Sequence, residues 1–303
     1  MTSAQAQSKG GLSAYLAEQV RVIDEVLNRW VPAESVAPAS IHQAMRYSLF
    51  AGGKRIRPIL AIAAARAVSD SPDGIENAAA TLELIHTYSL IHDDLPALDN
   101  DDLRRGRPTC HKVFGEAMAI LAGDSLLTLA FEVLSRLPYI DAERKIRLVE
   151  ELARASGTVG GMIGGQVHDI EGEKRAPTAS LLESIHRAKT GALLRASLRM
   201  GAIYAGATQA ELSALSEFGE RVGLAFQIID DVLDVEESSE KLGKTAGKDA
   251  AQQKITFPAV YGLERSRQMA EEERLAAHSA LHSFDDRADP LRQIADFIVQ
   301  RKA

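Results

Sequence analysis

Apolar residues recur at intervals of three and four along almost the whole chain, and no useful length of it alternates with period two. This constrains the fold more than any other feature. A 3.6-residue period buries one stripe of a helix but cannot keep one side of a strand apolar. Leu12, Leu16, Val20, Ile23 and Leu27 set that period over 12–30. Pro32 and Pro38 bound the next element, 41–51 reads as helix stopped by Gly52-Gly53, and Pro58 suits the first turn of a helix through 67. A loop at 69–74 precedes a helix to about 93. Further helices are predicted over 113–137, 142–170, 179–205, 209–236, 256–280 and 288–301. Abundant alanine and 5% aromatic residues agree with helix over sheet. No repeat or low-complexity linker divides the chain. The expectation is all-α: one domain over 1–303, a large bundle of about ten helices, with 1–11 a flexible N-terminus.

Composition narrows the function classes. With 42 acidic against 35 basic residues the formal net charge is −7, which disfavours a nucleic-acid partner, because phosphate backbones select a basic footprint. Cys110 is the only cysteine, so there is no disulfide framework and no thiolate metal site. No run approaches the ~18 apolar residues of a membrane span. The start "MTSAQAQSKGG" lacks a secretory pattern, so a cytoplasmic location is expected.

Two acid clusters break the helical monotony. "IHDDLPALDNDDLRRGRPT" packs five aspartates and three arginines into nineteen residues. Like charges this close repel unless counterions share the space. His86, Ser89 and Asp93 form one stripe of the preceding helix, beside a stripe of Leu84, Tyr88 and Ile91, and Pro96 puts the later aspartates on a bend. In "FGERVGLAFQIIDDVLDVEE", Gly223, Gln227, Asp230, Asp231 and Asp234 share a face, while Leu224, Ile228, Val232 and Val235 suit a core. A single aspartate cluster is usually a solvated face or cap, and Asp101 and Asp102 fit that role. Two clusters point further. Carboxylates without histidine or cysteine partners suit magnesium, which keeps waters and completes its shell with substrate phosphates. Arg104 and Arg105 then answer the anion. "LGKTAGKD" lacks the glycine a phosphate loop requires before Gly243, so an ATP-type loop is rejected.

These motifs, together with "AGGKRIRPIL", "GGQVHDIEGE", "AKTGALLRAS" and "FQIIDDVLDVEESSEKLGKTAGKDAAQQKITFPAV", resemble the bacterial short-chain trans-isoprenyl diphosphate synthases, and most nearly their farnesyl diphosphate branch. The resemblance runs in order from about residue 12 to the C-terminus. It implies the all-α isoprenoid synthase fold around a deep central pocket, usually as a homodimer. It implies about three Mg2+ ions per site, held by Asp93, Asp94 and Asp99 and by Asp230, Asp231 and Asp234. Arg104, Lys189, Lys244 and, more weakly, Lys254 correspond to ligands of an allylic diphosphate. Gly53, Lys54, Arg57, His86 and Arg105 correspond to the isopentenyl diphosphate site. Thr190 and Gln227 offer uncharged oxygens to an allylic cation. Tyr88 and Ser89, five and four residues before Asp93, correspond to the chain-length gauge, and the aromatic-then-small pair resembles a fifteen-carbon pattern.

Blander readings stand beside these. His86 and Tyr88 are ordinary core residues by periodicity alone. Lys189-Thr190 is a polar break on a helix, "GGMIGGQVHDI" is close helix packing with Gln166 and Asp169 in support, and Cys110 is incidental. Asn100 stands where relatives commonly carry an acid. The competing functions are a synthase of ten- or twenty-carbon product, a terpene cyclase and a non-catalytic prenyl-diphosphate-binding subunit. A cyclase needs no second diphosphate site, and a binding-only subunit needs no pair of acid clusters.

Overall fold

The computed structural model describes residues 3–172, 178–240 and 256–301. The all-α expectation holds among these residues. The helices are α1 (Ser3–Trp30), α2 (Ala39–Leu49), α3 (Ile56–Val68), α4 (Ile75–Asp93), α5 (Cys110–Phe114), α6 (Glu116–Ser135) and α7 (Ala142–Ser156). They continue as α8 (Met162–Gly172), α9 (Ala179–His186), α10 (Ala192–Ala205), α11 (Gln209–Glu240), α12 (Phe257–Tyr261), α13 (Leu263–Ala280) and α14 (Asp289–Val299).

The chain forms two compact units, each drawn from two separate stretches of sequence. Unit one comprises Met1–Ile62 and Pro72–Val149; unit two comprises Ala63–Ser71 and Glu150–Ala303. In unit one, α4 is buried on nearly every side from Ala78 to Ile85, so it is a core helix and not an amphipathic surface one. It packs on α6, α1 and α2. Small residues of α6, namely Ala119, Ala122, Gly123 and Ala130, are buried. A methyl group at Gly123 would run into the His92 ring of α4. In unit two, α11 packs on α13, α10 and α14, and Leu182, Ile228, Ile229, Val232, Phe257 and Ala270 form a core cluster.

Several expectations are corrected. A strand pair does exist: β1 (Leu103–Arg104) and β2 (Arg107–Pro108) pair antiparallel, with Arg105 (φ 53°) and Gly106 (φ 73°) as a two-residue turn. Two residues per strand are too few to show a period, whereas positive φ at both turn positions matches the twist of a tight hairpin. The helix expected over 142–170 breaks between α7 and α8 around Gly157, Gly160 and Gly161. Positive-φ glycines, Gly115 (φ 84°) and Gly262 (φ 83°), also divide 113–137 and 256–280. α1 begins at Ser3, within the stretch expected to be flexible. Val235, expected in the core, is 38% exposed. Against the expectation of no membrane-length run, α6 is long and apolar enough to cross a membrane by length and composition alone. A core helix meets the same criterion, and α6 packs on α4.

Candidate active site

The acid-rich loop begins where α4 ends. Backbone N–H groups of Asp99, Asn100 and Asp101 donate to the carbonyls of Asp93 (2.8 Å), Leu95 (3.1 Å) and Asp94 (3.2 Å). These bonds fold the loop back on the helix end and bring Asp99 beside Asp93 in the backbone. Asn100 sits at φ 49°, a left-handed position that asparagine tolerates better than most residues, which gives a backbone reason for its presence. Asp94, expected as a metal ligand, is paired with Arg104. It is buried, and its Oδ1 accepts from Arg104 Nε and lies 2.7 Å from Arg104 Nη2. Burial pushes its carboxyl up while Arg104 pulls it down. Asp94 therefore serves Arg104 first. Asp102 pairs with Lys112 at 2.7 Å on the surface, the bystander role expected of it.

Unit one also gathers cations. The His86 imidazole is held well below its ordinary range by burial and then by Arg57, Arg105, Arg104 and Arg55. Arg105 donates through Nη1 to the Gly52 carbonyl, and a β-carbon on Gly53 (φ 135°) would lie 2.7 Å from that guanidinium nitrogen. The conformation at 53 favours glycine, and a side chain there would displace the Arg105 guanidinium. Lys54 is exposed.

Sequence reasoning passed over Arg55. It is 2% exposed, its φ is 48°, and it bonds Asp24 (2.9 Å), Glu83 (2.7 Å) and the Leu49 carbonyl (2.7 Å). This network anchors the turn that carries Gly53 and Lys54 and leads into α3, whose first turn bears Arg57. The available signal was Glu83, an acid inside the apolar run "AAATLELI".

In unit two, Lys189 and Thr190 lie in a π turn, Arg187–Gly191, between α9 and α10. Such turns widen a helix locally and recur at functional positions. Lys189 Nζ is 2.6 Å from Asp169 Oδ2 of α8. A side chain at Gly165 would collide with the Lys189 backbone, and one at Gly223 would come within 3.3 Å of Gly191 Cα. Close packing through glycines, read from "GGMIGGQVHDI", is therefore what holds this turn.

The acid face of α11 follows. Asp230 Oδ1 meets Arg301 Nη2 at 2.8 Å, and that guanidinium stacks over Phe226 at 4.4 Å. Asp231 Oδ2 accepts the Phe257 backbone N–H at 2.8 Å, a structural task the sequence did not disclose. His186 Nδ1 lies 2.9 Å from Gln227 Oε1. A cavity of about 500 Å³ within unit two is lined by His168, His186, Arg187, Gly191, Arg195 and Leu224, among others. Lys244 and Lys254 lie outside the described residues.

Among the described residues no three acid, histidine or cysteine side chains converge as a ready-made metal cage. The donor chemistry nevertheless suits magnesium. Asp93 with Asp99, and Asp230 with Asp234 one helical turn away, offer hard oxygens, and this ion takes only one or two carboxylates alongside water and phosphate.

An all-α chain with two separate aspartate motifs, a lysine on a π turn and an arginine cluster has the equipment of prenyl diphosphate chemistry. The chain belongs to the polyprenyl synthetase family, whose model matches residues 38–294, and so to the trans-prenyltransferases. It is 46% identical over 292 residues to the farnesyl diphosphate synthase of Geobacillus stearothermophilus, covering 95% of this chain and 97% of that one. It is 47% identical to a heterodimeric geranylgeranyl pyrophosphate synthase large subunit of Arabidopsis thaliana, covering 95% of this chain and 79% of that one. The crystal structure of an FPP/GFPP synthase from Zymomonas mobilis superposes with a TM-score of 0.87 at 36% identity, covering 96% of this chain and 99% of that one.

Proposed function

We propose that the chain, working as one domain, condenses isopentenyl diphosphate with dimethylallyl and then geranyl diphosphate to give farnesyl diphosphate. The observation that carries this reading is the gathering of Arg57, Arg104 and Arg105 around His86 in the unit that also bears Asp93 and Asp99. One anion is served by the carboxylate motif through metal, with Arg104 beside it; a second is served by Arg57 and Arg105 directly. Two anion sites suit two diphosphates, and a terpene cyclase has no use for the second.

Asp93, Asp99, Asp230 and Asp234 would hold magnesium, which when bound supplies positive charge to the diphosphate leaving group. Lys189 and Arg104 bind the same group, Lys189 aimed by Asp169 and Arg104 by Asp94. The allylic C–O bond breaks as charge moves onto the diphosphate. Thr190 and Gln227 present dipoles to the allylic cation without offering a strong nucleophile. The alkene of isopentenyl diphosphate, held by Lys54, Arg57 and Arg105, attacks to form the new C–C bond. The resulting cation loses a proton to the released diphosphate. Tyr88, buried on α4 five residues before Asp93, supports a pocket closed at fifteen carbons. We further propose a homodimer.

A twenty-carbon product is the second reading, favoured by relatives named as geranylgeranyl pyrophosphate synthases. Incubation with both five-carbon diphosphates and Mg2+, followed by chromatography of the dephosphorylated products, decides between them. Farnesol as the main product supports the proposal; geranylgeraniol overturns the chain length. Asp93→Ala should lower turnover by about 10²-fold or more. Full turnover in that variant, or in the presence of chelator, overturns the mechanism.

A further inference from the structure

His186 closes α9, and its ring spans two residues one turn apart on α11. Nδ1 is 2.9 Å from Gln227 Oε1, and Nε2 is 3.6 Å from Asp231 Oδ2. The ring stacks on Phe257, with centroids 5.3 Å apart and planes inclined by 27°, and its side chain is only 11% exposed. Asp231 is fixed in turn, because the same Oδ2 accepts the Phe257 N–H. Among the described residues His186 is the one hydrogen-bond partner of the Gln227 carboxamide and the one that orients it.

A carboxamide exchanges oxygen and nitrogen by a half-turn, and a neutral imidazole exchanges donor and acceptor by tautomer; partners decide both. Two neutral arrangements exist. In one, Nδ1–H donates to the Gln227 oxygen. The Nε2 lone pair then faces the Asp231 carboxylate, which is repulsive, and the amide NH2 is presented to the open side. In the other, Nε2–H faces Asp231, the Nδ1 lone pair accepts from the Gln227 NH2, and the carbonyl oxygen is presented. The carboxylate 3.6 Å away is beyond a hydrogen bond but well within electrostatic reach, and it favours the second arrangement.

We infer that His186 is a positioning residue: set in its Nε2–H tautomer by Asp231, it turns the Gln227 carboxamide so that the carbonyl oxygen faces the reacting centre. This rests on the reading of Gln227 as a dipole for the allylic cation. An oxygen stabilises that charge, whereas an NH2 group in its place opposes it.

Two measurements test it. The first does not depend on activity. Imidazole ¹⁵N spectra of the unliganded protein, with the His186 signal assigned by its loss in His186→Gln, should show the Nε2–H tautomer. An Nδ1–H tautomer overturns the inference whatever the enzyme makes. The second is kinetic. His186→Phe keeps a ring to stack on Phe257 but removes both nitrogens. It should lower kcat roughly ten- to a hundredfold while both KM values stay within about twofold. The Gln227→Leu change should add little to it, because the two losses are one effect. His186→Gln, whose carboxamide oxygen can accept from Gln227, should recover part of the loss. Multiplicative losses, or a rise in KM at constant kcat, overturn the inference. If circular dichroism shows His186→Phe unfolded, His186→Gln with and without Gln227→Leu decides by the same criteria. A wild type that makes no prenyl product refutes the functional reading instead, and the tautomer result stands apart from it.

Discussion

At the scale of single residues, burial decides which charges are structural and which are left for a ligand. Arg55, Arg57 and Lys54 read alike in "GGKRIRP", yet Arg55 is enclosed with Glu83 while Lys54 is exposed. Arg55→Ala leaves the Glu83 carboxylate buried without its main partner, which should cost about 3–5 kcal/mol of stability. The double variant Arg55→Met with Glu83→Leu removes both charges and should recover most of that loss, as urea midpoints will show. Equal losses in the single and double variants would refute the pairing as the cause. His86 gives a pH dependence of known sign. Its folded-state value is depressed below the ordinary 6.5 by burial and the arginines, so the unfolded chain binds a proton that the folded one resists. His186, also depressed by burial, adds in the same direction. Stability from these groups is therefore fully present above about pH 6.5 and falls as pH drops below it, by at most about 1.4 kcal/mol per pH unit for each. Urea midpoints at pH 7.5 and 5.5 should differ more in the wild type than in His86→Gln; an unchanged difference would show that His86 is not held neutral.

At the scale of elements, periodicity located helices well and their interruptions poorly. The prediction of 209–236 matches the body of α11, whose face carries Gln227, Asp230, Asp231 and Asp234. The breaks at Gly115, Gly262 and around Gly157–Gly161 were missed because the apolar period runs on across one positive-φ residue. The π turn at Arg187–Gly191 leaves no mark in a 3.6-residue pattern, although it presents Lys189 and Thr190. The candidate site was legible as motifs, because charge clustering is visible in a string. The partners that orient it were not, since Asp94 for Arg104, His186 for Gln227 and Glu83 for Arg55 are tertiary contacts. One prediction belongs to α4. Tyr88 is buried there, its ring edge-on to His92 at 5.7 Å, and burial followed by Asp93 pushes its hydroxyl up to about 12. Ser89 donates to the His86 carbonyl at 2.9 Å. If this turn closes the pocket, Tyr88→Ala opens space and should lengthen the product, while Ser89→Phe should shift output towards ten carbons, since overpacking a closed site is costly. Product chromatography of both variants checks this, and an unchanged profile in both would dismiss Tyr88 and Ser89 as the gauge.

At the scale of the whole molecule, charge and apolar surface pull against one another. A net charge of −7 makes copies of the chain repel at long range, so any self-association must come from a local apolar surface. α6 supplies one. Its inner residues pack on α4, but Ile120 is 44% and Leu121 52% exposed, and Leu127, Leu129 and Phe131 along the same helix are only half-buried. That surface explains why α6 is apolar enough to resemble a membrane span although much of it is exposed. The proposed homodimer accounts for it if a second copy covers this face. At about 25 cal/mol per Å² of apolar area removed from water, one buried leucine contributes roughly 2 kcal/mol, and in a symmetric pair each contact is made twice. Replacing Leu121 with Glu removes two such contributions and sets two like charges near the interface. Sedimentation equilibrium of the wild type should therefore fit a dimer at micromolar concentration, and Leu121→Glu should move the fit towards monomer by at least a hundredfold in dissociation constant, about 2.7 kcal/mol. Exposed Leu275 on α13 is the control, because Leu275→Glu also adds a charge to an exposed apolar position but lies in the other unit. A monomeric wild type would refute the dimer, and equal dissociation in both variants would move the contact away from α6.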